Sequence, residues 1–161
     1  MWIHVASIFT LHVTTVILLL IATIKNAWWY TDTMATDVWG RWRMVGRGWT
    51  YSELPGSYPD EPLQVVQATT VLACLFSILG LCVYVAQLFL LKKGQKFILS
   101  CVFQLISCLC IMIAASVYTA TFHTDEEGWY GPSYVLAWIS FVFTLISSIC
   151  YFFLLKTTTE L

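Results

Sequence analysis

The side chains able to do chemistry in this 161-residue chain are few, and most lie in apolar surroundings. Six cysteines (Cys74, Cys82, Cys101, Cys108, Cys110 and Cys150) all fall inside long apolar runs. Cys108 and Cys110 are two apart, roughly 200° around a helix, so they do not face one site together. Thiols in such places act as small apolar packing groups. Palmitoylation of Cys82 or Cys150 would require a position near an interface, and both lie deep in their runs. His12 sits near the middle of the first run and Gln104 about two turns into the third. An imidazole or amide left unpaired in hydrocarbon is costly, and the two fall at similar depths. A direct His12–Gln104 hydrogen bond between helices is therefore expected. A proton relay through His12 would need an acidic partner, and no run contains one. The loops hold no Cys/His cluster with metal-ligand spacing, no Ser/His/Asp set and no phosphate-binding glycine loop. No catalytic, cofactor or metal site is expected.

These residues are carried by four runs, 2–24, 65–91, 97–122 and 133–155, that no Asp, Glu, Lys or Arg interrupts. Even the shortest would make a helix of roughly 34 Å, enough to cross the hydrocarbon layer. The first run lacks the basic flank, short apolar core and cleavage site of a signal peptide, so it reads as a retained helix. The chain is thus expected to be a single all-α membrane domain, a four-transmembrane-helix bundle. Loops 25–64 and 123–132 lie on one side, with turn 92–96 and tail 156–161 on the other. Positive charge nearly ties across the membrane: Lys92, Lys93, Lys96 and Lys156 against Lys25, Arg41, Arg43 and Arg47. Three lysines packed into the short turn favour cytosolic termini. A net charge of −1 gives no reason to expect a nucleic-acid partner; membrane lipids are the first neighbours.

The long first loop is dense in Trp, Tyr, Val, Thr and Gly. Segments 38–45 and 48–54 read as strands around a Gly46-Arg47-Gly48 turn, forming a small extracellular antiparallel β-sheet over the helix ends. Trp28, Trp29, Tyr30, Trp129, Tyr130 and Tyr134 stand where spans meet loops, as interfacial aromatic belts do. Arg41, Arg43 and Arg47 could meet acidic partners across an intercellular gap, although a solvated face is the plainer reading. Thr159-Glu160-Leu161 has the Thr-x-apolar form that a PDZ scaffold accepts as an added strand; a solvated tail is the alternative. Small residues recur at helical spacing in Ala6-Thr10-Thr14, Ala73-Ser77 and Cys110-Ala114, which suits close helix contacts within the bundle, although such spacings are common by chance.

Several blocks together resemble the peripheral myelin protein / epithelial membrane protein group of the claudin-like four-span superfamily. They are Leu11-His12-Val13, Val66-Gln-Ala-Thr69, the stretch from Phe103 through Cys108 and Cys110 to Thr119, Ser133-Tyr-Val-Leu-Ala-Trp138, Asn26-Ala-Trp-Trp29, Asp37-Val-Trp39 and Gly94. The resemblance covers nearly the whole chain. It implies cytosolic termini, an extracellular sheet and no catalysis. It also implies membrane organisation, adhesion at plasma-membrane contacts and growth regulation, with lateral control of receptor or channel delivery and a claudin-like paracellular barrier or pore as alternatives. Homo- or hetero-oligomers and contacts with neighbouring cells are the implied partners. Trp28, Trp29, Trp39, Trp42 and Tyr51 are the candidate residues for loop folding and adhesion, with Trp39 favoured as a fold anchor.

The chain departs from the family pattern in its loop. Trp42 and Tyr51 stand where the family carries a cysteine pair, so that disulfide cannot form. Such a bridge stabilises by roughly 2–4 kcal/mol. A cross-strand aromatic pair returns about 0.2–1 kcal/mol. The family's glycosylation sequon is also missing, because the one asparagine, Asn26, precedes Ala-Trp.

Overall fold

The protein is described by a computed structural model at residues 2–24, 28–36, 39–53, 60–89, 98–121 and 127–159. Four helices, α1 (Trp2–Ile24), α2 (Asp60–Phe89), α3 (Ile98–Thr121) and α4 (Pro132–Thr159), are each long and apolar enough to cross a membrane. Between α1 and α2 lie β1 (Trp29–Tyr30), β2 (Met34–Thr36), β3 (Gly40–Val45) and β4 (Gly48–Glu53), and β5 (Trp129–Tyr130) precedes α4.

Two helices outrun their apolar stretches. The α2 helix begins at Asp60, before residue 65, because Asp60, Glu61 and Pro62 are favoured in a first helical turn although they are not apolar. The α4 helix continues to Thr159, through most of what the sequence suggests is tail. It opens on Pro132, where the missing N–H costs nothing. The lysine-rich turn 92–96 lies outside the described residues.

Each helix packs on its neighbours in sequence, and α1 closes the ring against α4. Ile8 meets Tyr84 and Tyr151 near one end, whereas Leu19 and Ala22 share a core with Val66, Ala73, Tyr118 and Ala137 toward the other. The four helices therefore run alternately up and down. Leucine and isoleucine side chains such as Ile17, Leu75, Leu105 and Ile146 point outward, while Thr15, Ser77, Gln104, Ser107 and Thr144 are buried. A water-soluble bundle places these classes the other way round. Lipid removes the drive to hide leucine, so close contact and hydrogen bonding hold the interior. Many hydroxyls return to their own helix, as Thr70 Oγ1 does to Val66 O at 2.9 Å and Thr144 Oγ1 to Ser140 O at 2.8 Å.

The polar centre differs from the sequence expectation. His12 and Gln104 form no direct hydrogen bond. His12 Nε2 lies 2.8 Å from Ser77 O, and its Nδ1 lies 2.7 Å from the Tyr151 hydroxyl. A carbonyl only accepts, so Nε2 carries the proton and Tyr151 donates to Nδ1. Ser77 Oγ donates to Gln104 Oε1 at 3.1 Å, so Ser77 stands between the two predicted partners. Gly80 permits this approach: a Cβ there would sit 3.3 Å from His12 Cε1 and from Phe103 Cβ. Ser107 Oγ donates to Ala73 O at 2.7 Å, and Tyr84 donates to Val5 O at 2.9 Å, so all four helices are tied across the core.

A candidate interaction surface built from both loops

The sheet is antiparallel, in the order β4-β3-β2-β1-β5. The β3–β4 hairpin is the pair the sequence foretells, and its turn is Gly46-Arg47 with Gly46 at φ 64°. A positive φ at the first turn residue matches the twist of a two-residue hairpin and favours glycine. The first loop also supplies β1 and β2, from residues with weak strand signals. The fifth strand corrects the expectation of a sheet confined to the first loop. Trp29 pairs with Tyr130 and Tyr30 with Trp129, so the second loop completes the sheet. Gly128 makes room for this docking, since a Cβ there would meet Tyr30 O at 2.5 Å and the Trp29 ring at 2.9 Å.

Strand alternation sorts the side chains. One face carries Trp29, Thr36 and Arg41, all buried, together with Tyr130, which stacks on Tyr134 of α4 with ring centroids 4.1 Å apart. This face lies against the helix ends. Burial there, and then the neighbouring Tyr134 phenol, push the Tyr130 hydroxyl pKa above its ordinary value. The other face carries Trp129, Tyr30, Ala35, Trp42 and Tyr51 in register, with Met44 and Trp49 in the next row. Trp129, Tyr51, Met44 and Trp49 are exposed on it.

Two indoles fix the sheet to the bundle. Trp28 Nε1 donates to Ala22 O at 2.7 Å, and Trp39 Nε1 donates to Thr23 O at 2.9 Å. Both acceptors are among the last four carbonyls of α1, which have no partner within the helix. The Trp28 ring is fully buried, with its centroid 4.9 Å from that of Tyr118 and 6.1 Å from that of Tyr134. Trp29 meets Tyr130 edge-on at 5.0 Å.

Trp42 and Tyr51 are direct partners across β3 and β4, with ring centroids 5.1 Å apart at 57°. Met44 N–H donates to Thr33 O at 2.8 Å, so alternate residues of β3, Trp42 among them, turn their amides away from β4. The Trp42–Tyr51 pair is therefore a non-hydrogen-bonded site, where opposed side chains approach most closely. The Tyr51 phenol also covers Gly40, where a Cβ would collide with it.

The three arginines separate. Arg41 is 7% exposed, beneath the sheet, and so is removed from the set that could meet a partner across a gap. Arg43 and Arg47 are exposed. In the PDZ-like ending, Thr159 closes α4, while Glu160 and Leu161 lie outside the described residues, as does Asn26. Among the described residues no group of His, Cys, Asp and Glu is arranged to hold a metal ion. The signal sequence reasoning overlooked is Trp129-Tyr130. A β-prone aromatic pair beside Gly128 and Gly131 suits a short edge strand as well as an interfacial belt.

Residues 1–151 match the model of the PMP-22/EMP/MP20/Claudin family. The chain is 40% identical over 168 aligned positions to epithelial membrane protein 2 of Homo sapiens, covering 97% of this chain and 99% of that protein. It is 39% identical to epithelial membrane protein 2 of Danio rerio and 35% identical to epithelial membrane protein 1 of Homo sapiens, with the same coverage.

Proposed function

The chain belongs to the PMP-22/EMP/MP20/Claudin family, and from that premise we propose that it organises the plasma membrane at cell contacts through the sheet its two loops share. It is a multi-pass membrane protein and not an enzyme. In this reading both termini are cytosolic and the sheet is extracellular. The observation that carries it is the sheet's division of labour. One face is spent on the helix ends, while the other presents Trp129, Tyr51, Met44 and Trp49 to solvent. Exposed aromatic and methionine side chains on a rigid platform suit a contact surface.

The test is aggregation of suspended cells carrying the chain, normalised to surface level. Cells expressing it cluster, and Trp49→Ser with Met44→Ser reduces clustering without lowering surface delivery. Equal clustering by the parent and this variant, or none by the parent, refutes the reading. Loop-swap chimeras separate it from lateral control of receptors or channels, because adhesion follows the loops and lateral control follows the spans.

A further inference from the structure

Near the height of His12 the polar contacts run from helix to helix around the bundle. His12 Nε2 on α1 donates to Ser77 O on α2, Ser77 Oγ donates to Gln104 Oε1 on α3, and the Tyr151 hydroxyl on α4 donates to His12 Nδ1. Three of the four joins are thus made by oxygen and nitrogen. Between α3 and α4 the contact near this height is a thiol's, Cys101 Sγ to Ser148 O at 3.5 Å. On those same two helices stand three polar atoms with no hydrogen-bond partner among the described residues: Gln104 Nε2 and Ser100 Oγ on α3, and Ser147 Oγ on α4. All three side chains are fully buried. Turning the Gln104 amide over would pair Nε2 with Ser77 and orphan Oε1 instead, so one end of the amide is unmet either way. Ser147 also forgoes the bond its neighbours take, since Ser140, Thr144 and Ser148 each donate to the carbonyl one turn back.

The orphaned atoms belong to one layer of the core. Cys101 reaches Ser148 O and Cys108 reaches Phe141 O, which fixes the antiparallel register of α3 and α4. Ser147 therefore stands level with residue 102, midway between Ser100 and Gln104, about 3 Å from each along the axis at roughly 1.5 Å per residue. Ser100 and Gln104 are one turn apart on one face of α3, and Ser147 is one turn from Tyr151, on the face of α4 that meets His12. Buried polar groups left unpaired are costly, and a water enclosed in a protein typically satisfies about three of them. We propose that the bundle core binds a water molecule between α3 and α4, held by Gln104 Nε2, Ser100 Oγ and Ser147 Oγ. The amide donates to the water oxygen, and each hydroxyl, able to donate or accept, takes a remaining site. The water supplies the fourth join, closing a hydrogen-bonded ring through all four helices that no pair of side chains closes directly.

The full chain, held in nanodiscs of deuterated phosphatidylcholine, is probed by NMR for cross-relaxation between water and the Gln104 side-chain amide, a resonance assigned by its loss in Gln104→Met. A cross-peak is expected in the parent. It persists in Ser140→Ala with Ser148→Ala, which removes two hydroxyls bonded within α4. It is lost in Ser100→Ala with Ser147→Ala, although the Ser77 hydroxyl remains beside the amide to report any relay by proton exchange. No cross-peak in the parent, one that survives the Ser100 and Ser147 substitutions at full strength, or one lost equally in the Ser140 and Ser148 control overturns the proposal. A double-mutant cycle of Gln104→Leu with Ser147→Ala, read by detergent unfolding, tests the same link. No direct bond joins these side chains, yet the double variant's unfolding constant should fall roughly threefold short of the product of the single effects, the size of one hydrogen bond between membrane helices. Independent effects overturn the bridge. Coupling without a water cross-peak assigns the link to a direct Gln104–Ser147 bond and overturns it too.

Discussion

Replacing Trp42 and Tyr51 together by cysteine puts a disulfide where two aromatic rings now meet. The pair is in direct register and non-hydrogen-bonded, the antiparallel site at which Cα atoms stand about 4.5 Å apart. That separation falls inside the range a disulfide spans. Closing residues 42–51 into a ring removes unfolded-state freedom equivalent to roughly 2.5 kcal/mol. Against this stands the lost ring contact at 5.1 Å, about 0.5–1.5 kcal/mol, and the uncovering of Gly40. The hairpin should gain about 1–2 kcal/mol net, so local opening becomes roughly 5- to 30-fold rarer. Hydrogen exchange of the β3 and β4 amides in nanodiscs, with and without reductant, reads this directly. Slower exchange that reverts on reduction is expected. Surface biotinylation should change little, because Trp28 and Trp39 hold the sheet whether or not the bridge forms. Two results refute the reasoning: cysteines that stay free in exported protein, or a bridged hairpin that exchanges faster than the parent.

Trp28→Phe keeps most of the buried ring but frees the Ala22 carbonyl, and should cost about 1–2 kcal/mol in thermal unfolding and reduce surface delivery. The Trp39→Phe loss should be smaller, since that indole is partly exposed. His12→Leu and Tyr151→Phe should be non-additive by about 0.6 kcal/mol, the usual size of a hydrogen bond between membrane helices, in a double-mutant cycle of detergent unfolding. His12→Leu and Gln104→Leu should couple more weakly than a directly bonded pair, because they reach each other only through Ser77. Gly128→Val should detach β5, seen as increased protease cutting of the second loop while the β3–β4 hairpin stays protected.

The helices and the β3–β4 hairpin were legible because each rests on a local signal. Uninterrupted apolar runs give the spans, and Gly46-Arg47 between β-prone residues gives the hairpin. Short strands escape such reading. Neither Trp29–Tyr30 nor Trp129–Tyr130 has a strand pattern of its own: Trp129–Tyr130 becomes a strand by pairing with residues about a hundred positions away, and Trp29–Tyr30 sits between that strand and β2. The His12 pairing shows a related limit. Depth along the spans matched His12 with Gln104, but the close approach allowed at Gly80 brings Ser77 between them, and Tyr151 arrives from a helix whose tyrosine reads as apolar filling. Arg41 looks like its neighbours in composition, and only strand alternation places it beneath the sheet.

The missing cysteine pair changes where the sheet draws its stability. A disulfide would staple the hairpin to itself, independent of the bundle. Here the strongest attachments cross from loop to helix. Two indoles occupy the open carbonyls of α1, the Trp28 ring shares a core with Leu19, Ala22 and Tyr118, and Tyr130 stacks on Tyr134 at the start of α4. Sheet and bundle are thereby one cooperative unit, in which a helix cannot shift at that end without moving an indole or a strand. The outward aromatic face is held by the same residues that close the bundle, so a substitution deep among the helix ends should disturb the contact surface as surely as one upon it.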